Sequence, residues 1–217
     1  MLAEPRHGFL PEQVRDLAAQ DAPLPIGSGG TNSQPTTVLN MLELLDVRAG
    51  HRVLDVGSGS GWTTAIISRL VEPDSPMGSD SPVGSGGPGS TVGSGGTVGS
   101  VGPASSDGSD GLDGFVVGVE LEPELVRFGR ENLGKRSNAW IEQARPDVFG
   151  WPAGAPYDRI LVSAMADEVP PELVDQLAIG GLMVVPVSST MLLVRRTESG
   201  YVSTKHGGYR FVPLRRR

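Results

Sequence analysis

An α/β fold built on a doubly wound, mostly parallel sheet of seven strands with an antiparallel end is the architecture this sequence predicts. Three observations carry that prediction. Apolar residues Val53, Leu54 and Val56 run straight into the alternating glycines Gly57, Gly59 and Gly61, and Thr63-Thr64-Ala65-Ile66-Ile67 then opens a helical pattern, so the stretch reads as strand, tight turn, helix. Strand-like and helix-like segments alternate through the rest of the chain, which is the pattern of a parallel sheet with crossover helices. A second apolar strand ends in an acid, Glu120. It lies 63 positions after Gly57, of which 41 belong to a low-complexity stretch at 73–113; the remaining 22 match the ~20 residues that separate a glycine turn from a strand-end acid in Rossmann-like folds.

The elements follow in order. Residues 11–20 read as a short helix with Pro11 in its first turn. Residues 21–32, broken by Pro23, Pro25, Gly27, Gly29 and Gly30, are expected to carry no regular structure. The hydroxyl- and amide-rich Thr31-Asn32-Ser33-Gln34-Pro35 suits both a helix start, with Pro35 in the first turn, and a polar lip over a ligand. Val38, Leu39, Met41, Leu42, Leu44 and Leu45 mark a buried helix face, and Gly50 closes that region. In the central turn, Gly57 permits the chain reversal, Gly59 lets a ligand approach the backbone, and Gly61 allows close helix–strand packing. The free N–H groups at the following helix start favour an anionic group such as a carboxylate. Beyond the low-complexity stretch, strands are expected at 115–120, 139–143, 157–163, 182–187, 190–196 and 209–214. Helices are expected at 123–133 and from Pro170 or Pro171 to 178, with turns at Gly180-Gly181 and Ser199-Gly200.

The chain of 217 residues is long enough for one ordinary domain, and a single domain over 1–217 is the expectation. Its net charge of −7 argues against a nucleic-acid or anionic-membrane binder, whose footprint would be basic. Arg215-Arg216-Arg217 reads as a solvated tail. There is no cysteine, so disulfides and thiolate chemistry are excluded, and the three histidines (His7, His51, His206) show no metal-type spacing. No signal pattern and no apolar run of the ~18 residues a span requires are present, so a soluble cytoplasmic monomer is expected. Residues 73–113 are dominated by Gly, Ser, Pro, Asp, Thr and Val in imperfect repeats and hold five acids, Asp74, Asp80, Asp107, Asp110 and Asp113. Such a stretch buries too little apolar surface to offset its ordering entropy and reads as a disordered insertion within the domain.

The motifs resemble those of the protein-L-isoaspartate (D-aspartate) O-methyltransferases, class I S-adenosyl-L-methionine-dependent enzymes. Pro23-Leu24-Pro25-Ile26-Gly27 followed by Thr31-Asn32-Ser33-Gln34-Pro35 is similar to the family's P-L-x-I-G and T-I-S-Q-P segments. Residues 53–62 resemble its V-L-E-I-G-[ST]-G-S-G-Y turn. Gly150-Trp151-Pro152, Ala155-Pro156-Tyr157-Asp158, Val169-Pro170-Pro171, Gly180-Gly181 and Arg210-Phe211-Val212-Pro213-Leu214 resemble later signatures.

The resemblance implies a class I methyltransferase fold that binds S-adenosyl-L-methionine and methylates the free carboxylate of isoaspartyl residues in damaged proteins or peptides. By the same resemblance, Asp55, Gly57, Ser58, Gly59, Gly61 and Trp62 hold the methionine part of the cofactor. Glu120 with Leu121 binds the ribose, and Thr31 and Ser33 stand at the methyl-transfer point. Asp147 would read the adenine, although the family pattern there is G-D-G and this chain has Arg145-Pro146-Asp147. Asn32 stands where the family has an apolar residue, Ser28-Gly29-Gly30 lacks the usual Gln, and the N-terminal part is short by a helix or two. These departures keep two alternatives in view: a dedicated peptide or small-molecule acceptor, and a cofactor-binding pseudoenzyme.

Overall fold

The structure is a computed structural model and describes residues 4–73 and 114–215. The insertion expected over 73–113 lies, apart from Pro73, outside the described residues. The described chain opens with two 3-10 helices, Arg6–Phe9 and Glu12–Leu17, the second standing where a regular helix over 11–20 is expected.

Residues 21–32 depart from the expectation of irregular chain: β1 (Leu24–Gly27) and β2 (Gly30–Asn32) form an antiparallel hairpin. The breakers that argued against structure are what this ribbon uses. Pro25 is exposed on a two-stranded ribbon, where its missing N–H deprives no central ladder, and Gly27 and Gly29 take the turn at φ 94° and 73°. Helix α1 (Pro35–Leu45) follows, with Pro35 in its first turn and Val38, Met41, Leu42 and Leu45 buried.

The central sheet contains β3 (Arg52–Val56), β4 (Phe115–Glu120), β5 (Ala139–Gln143), β6 (Tyr157–Val162), β7 (Leu177–Val187), β8 (Thr190–Thr197) and β9 (Gly200–Gly208). Their spatial order is β5-β4-β3-β6-β7-β8-β9; β5 through β7 are parallel neighbours, and β8 and β9 add the antiparallel end. Helices α2 (Trp62–Val71), α3 (Pro123–Leu133) and α4 (Pro171–Gln176) complete the fold.

Because the parallel strands are covered on both faces, they read as continuous apolar runs. Val53, Val116 and Leu161 pack with α1, α2 and α3 on one side, whereas Leu54, Val117, Ile160 and Val162 pack with α4 on the other.

Two expectations at the C-terminal side are corrected. Strand β7 starts at Leu177 and passes through Gly180, at φ 80°, with a register shift against β6, so the glycine pair is a bulge inside a strand and not a boundary before one. The last strand is Gly200–Gly208 rather than 209–214. Residues 209–214 instead cross the carboxyl end of β6, where Met165 N–H donates to Val212 O at 2.8 Å and Leu214 N–H donates to Met165 O at 2.7 Å. The apolar residues that suggested a strand there are spent on this crossing.

Candidate functional site

The sheet order reverses direction between β3 and β6: β4 and β5 extend one way from β3, and β7 to β9 the other way from β6. A crevice opens beyond the carboxyl ends of strands at such a switch point. Val56 pairs with Val162, so the next residues, Gly57 and Ser163, face each other across it.

The turn after β3 is held from below and from the side. Gly118 on β4 leaves room for it, since a Cβ there would stand 2.8 Å from Ser58 Cβ and 2.9 Å from Thr64 Oγ1. Gly61, at φ 82°, meets the backbone of Gly129 in α3 and Ile141 in β5. The close packing it allows is therefore helix to helix as well as helix to strand. Glu120, at the end of β4, clamps the turn: its Oε2 accepts the Gly59 N–H at 2.9 Å, and its Oε1 accepts the N–H groups of Leu121 at 2.6 Å and Glu122 at 3.0 Å.

A cavity of about 330 Å³ lies over this turn. Gly57, Gly59, Glu120, Leu121, Asp147 and Thr31 all line it. A second, small cavity of about 30 Å³ is lined by Thr31, Asn32, Ser33, Ser58, Ser60 and Ser163 among others, including Trp62. The two share Thr31, Gly57, Gly59 and Ser163. Among the described residues the hydroxyls of Thr31, Ser33 and Ser163 make no hydrogen bond and Ser58 Oγ is buried without a partner. Apart from Ser60, whose Oγ accepts Asn32 Nδ2, the hydroxyls that wall the small cavity beside the amino end of α2 are uncommitted among the described residues.

Two expected site residues line neither cavity. Gly61 sits at the helix junction. Asp55 lies one layer beneath the turn, fully buried; its Oδ2 accepts the Thr64 hydroxyl at 2.7 Å and its Oδ1 has no partner among the described residues. Burial pushes the Asp55 carboxyl up to about 7, a shift opposed by the Thr64 hydroxyl and reinforced by the negative charge of Glu120. Trp62 borders the small cavity, but its ring is committed to the N-terminal segment: Nε1 donates to Glu4 O at 3.0 Å, and the Arg6 guanidinium lies 5.4 Å over the ring.

Asp147 sits at φ 63° in a turn that Pro146 initiates, a left-handed position that Asp tolerates better than most residues. Beside it Arg145 also borders the large cavity and stacks on Trp151 at 4.8 Å. The far rim is made by Ile26 from the hairpin and by Val212, Pro213, Leu214 and Arg215, the last paired to Glu122 at 3.2 Å.

The description "Protein-L-isoaspartate(D-aspartate) O-methyltransferase" belongs to the family model that matches residues 1–79 and 92–217. The chain is a member of that family. A protein-L-isoaspartate O-methyltransferase of Methanopyrus kandleri is 41% identical over 221 residues, covering 99% of this chain and 80% of that protein. An Archaeoglobus fulgidus protein-L-isoaspartate O-methyltransferase is 35% identical over 213 residues, covering 97% and 81%. Among solved structures, a protein-L-isoaspartate O-methyltransferase superposes with a TM-score of 0.72 at 24% identity; the match covers 98% of this chain and 58% of that one. A putative family member from Plasmodium falciparum, solved in complex with S-adenosyl-L-homocysteine, gives 0.70 at 23% identity, covering 98% and 86%. Both likenesses establish the shared fold.

Within this member of the isoaspartate methyltransferase family, sequence reading missed Ser163, Ile26 and Arg145 as cavity residues. Residues 212–214 carry a signature motif in the sequence but read there as part of a strand, and Arg215, which the sequence assigns to a solvated tail, borders the cavity and pairs with Glu122. Ser163 becomes visible only once β3 and β6 are known to be neighbours, and Ile26 only once 24–32 is a hairpin. The Pro-Asp pair at 146–147 was the available signal for the turn that carries Arg145 to the rim.

Proposed function

We propose that this protein transfers a methyl group from S-adenosyl-L-methionine to the free carboxylate of L-isoaspartyl or D-aspartyl residues in damaged proteins and peptides. The observation that carries this reading is the hydroxyl-lined small cavity that shares Thr31, Gly57, Gly59 and Ser163 with the large one. Such a junction suits an acceptor carboxylate meeting a cofactor end to end.

The residues fit the cofactor. The large cavity falls within the ~300–1,000 Å³ range of small-molecule sites. Glu120 offers two acceptor oxygens at the strand end where a ribose is held, and its three backbone donors hold the carboxylate in place without filling both oxygens' capacity. Ser58 Oγ is a buried hydroxyl still in need of a partner. When bound, S-adenosyl-L-methionine supplies an electrophilic methyl on a sulfonium centre.

The chain's own residues then have little proton chemistry to do, because an acceptor carboxylate is already ionised at neutral pH. The hydroxyls of Thr31 and Ser33 would donate hydrogen bonds to the acceptor oxygen beside the cofactor's methyl, at a point that Ser163 also borders. The amino end of α2 favours the negative charge held there. The hairpin and the 212–215 segment flank the large cavity and limit water. Alignment of this kind is worth up to ~7–11 kcal/mol of barrier. Residues 73–113 enter this reading as a tolerated insertion in a single domain.

The test is transfer of labelled methyl from S-adenosyl-L-methionine to matched peptides that differ only in Asp against isoAsp. Base-labile label on the isoAsp peptide alone is expected. Absence of label with cofactor binding intact by calorimetry would assign the site to another acceptor, and absence of both would make the chain a non-catalytic relative.

A further inference from the structure

We infer that Asn32, anchored by the buried Arg6, is the positioning residue that sets the distance between the hydroxyl lip and the glycine turn, and through it the rate of methyl transfer. This rests on the function proposed above.

Arg6 is only 6% exposed and has no carboxylate in ion-pair contact among the described residues. Burial lowers its pKa, with Asp21 pulling the other way. Its guanidinium is instead satisfied by neutral acceptors. Nη1 donates to Gln20 O at 2.9 Å and more weakly to Ala18 O, while Nη2 reaches Ala22 O at 2.8 Å, Asn32 O at 3.0 Å and Ser33 O at 2.9 Å. Nε donates to Asn32 Oδ1 at 2.7 Å. Half of these bonds end on Asn32 and Ser33, the residues that form the lip of the small cavity. A side chain that merely folded the N-terminal segment would have no need to grip the lip three times.

The link continues on the far side of Asn32. With Oδ1 committed to Arg6, the amide is oriented, and Nδ2 donates to Ser60 Oγ at 3.0 Å. Ser60 belongs to the glycine turn, and its carbonyl accepts Asn132 Nδ2 of α3 at 3.1 Å. One side chain, 4% exposed, therefore bridges two walls of the small cavity: the lip that carries Thr31 and Ser33, and the turn that carries Gly57 and Gly59. Glu4 stands beside the anchor: its carboxylate takes Arg69 Nε at 3.0 Å and Arg136 Nη2 at 2.9 Å, and its carbonyl accepts Nε1 of Trp62, the ring over which Arg6 lies. Asn32 touches no reacting atom in this account; it acts through the placement of Thr31 and Ser33.

A wall shifted by a fraction of an ångström disturbs in-line transfer far more than it disturbs binding in the larger cavity. Asn32→Leu keeps the number and branching of side-chain heavy atoms, with a somewhat larger volume, and removes both side-chain bonds. It is expected to lower kcat on the isoAsp peptide by about tenfold or more while cofactor Kd stays within about threefold. Asn32→Asp keeps an acceptor for Arg6 and lets the Ser60 hydroxyl donate in the reverse sense, so it is expected to recover most of the lost kcat. Amide hydrogen exchange gives a readout independent of activity: protection at 31–33 should fall in Asn32→Leu while core amides of β3 and β4 keep theirs. Ser60→Ala, a smaller change, should lower kcat in the same direction if Asn32→Leu does not fold. Unchanged kcat in Asn32→Leu or Ser60→Ala overturns the inference, as does a loss of kcat, cofactor affinity and core protection together that Asn32→Asp fails to reverse. If the native chain labels no isoAsp peptide, the proposed function fails, and the exchange pattern alone decides whether Asn32 positions the lip.

Discussion

Asp55 stands apart from the acids that line the cavity because no water reaches it. Among the described residues its carboxyl has one partner, the Thr64 hydroxyl, and it lies beneath the turn that Glu120 clamps. Because burial raises its pKa from 3.8 to about 7, the native state holds a proton that the unfolded chain has already released over that interval. Below pH 3.8 both states are protonated and no penalty exists. Between there and about 7, stability falls as pH rises, by on the order of 4 kcal/mol in total, and above 7 the penalty is complete. Asn at this position resembles the protonated form at every pH. Urea unfolding of Asp55→Asn and the native chain at a series of pH values is therefore expected to show the variant gaining relative stability from pH 4 to pH 7 and no further gain above. A difference that does not change with pH would mean that Asp55 is ionised in the fold.

At the scale of elements, α3 touches the glycine turn directly. A Cβ on Gly129 would stand 2.8 Å from Gly59 O and 2.8 Å from Ile141 Cδ1. Gly129→Ala must push α3 outward or deform the turn, at a cost of about 1–3 kcal/mol. Part of that cost falls on the site, so calorimetry should find weaker cofactor binding alongside a lower Tm. A lower Tm with full affinity would show that the turn holds its shape without α3. The parallel strands and their helices were legible in the sequence because their signals are local: continuous apolar runs, proline starts at Pro35, Pro123 and Pro171, and the glycine turn itself. The glycine turn and Glu120 were legible for the same reason, as a spacing along one βαβ unit. The hairpin at 24–32 was not, because on a two-stranded ribbon the Pro and Gly that break other elements become its edge and its turn. Strand β9 was hidden for a different reason: it is exposed along nearly its whole length, so burial imposes no alternation on Gly200–Gly208. The apolar signal sat one segment later, in residues that cross β6. Arg6 gave no signal at all, since a lone arginine in a polar segment has no pattern and its role depends on acceptors up to 27 positions away.

At the scale of the whole molecule, the described residues on either side of the insertion are already neighbours. Val71 O accepts the Gly50 N–H at 3.0 Å, the Phe115 N–H donates to His51 O at 3.1 Å, and Gly114 packs so closely that a Cβ there would meet Val71 O at 2.6 Å. The end of α2 and the start of β4 thus meet the same stretch, Gly50-His51, whatever the intervening 40 positions do. A short turn can join them without moving either element, and Pro73 and Gly114 suit its ends. Replacing residues 74–113 by about four turn residues shortens the loop tenfold and removes closure entropy on the order of 2 kcal/mol. The shortened chain is expected to melt cooperatively, with Tm raised by about 4–8 °C and with methyl transfer to the isoAsp peptide retained. The junction between Pro73 and Gly114 meets β4 at its amino end, whereas Glu120 and both cavities lie at the carboxyl ends of the strands, so shortening that junction leaves the residues of the site untouched. Loss of the cooperative transition in the shortened chain would mean that the insertion contributes to the core; retained folding with lost methyl transfer would mean that it serves the acceptor.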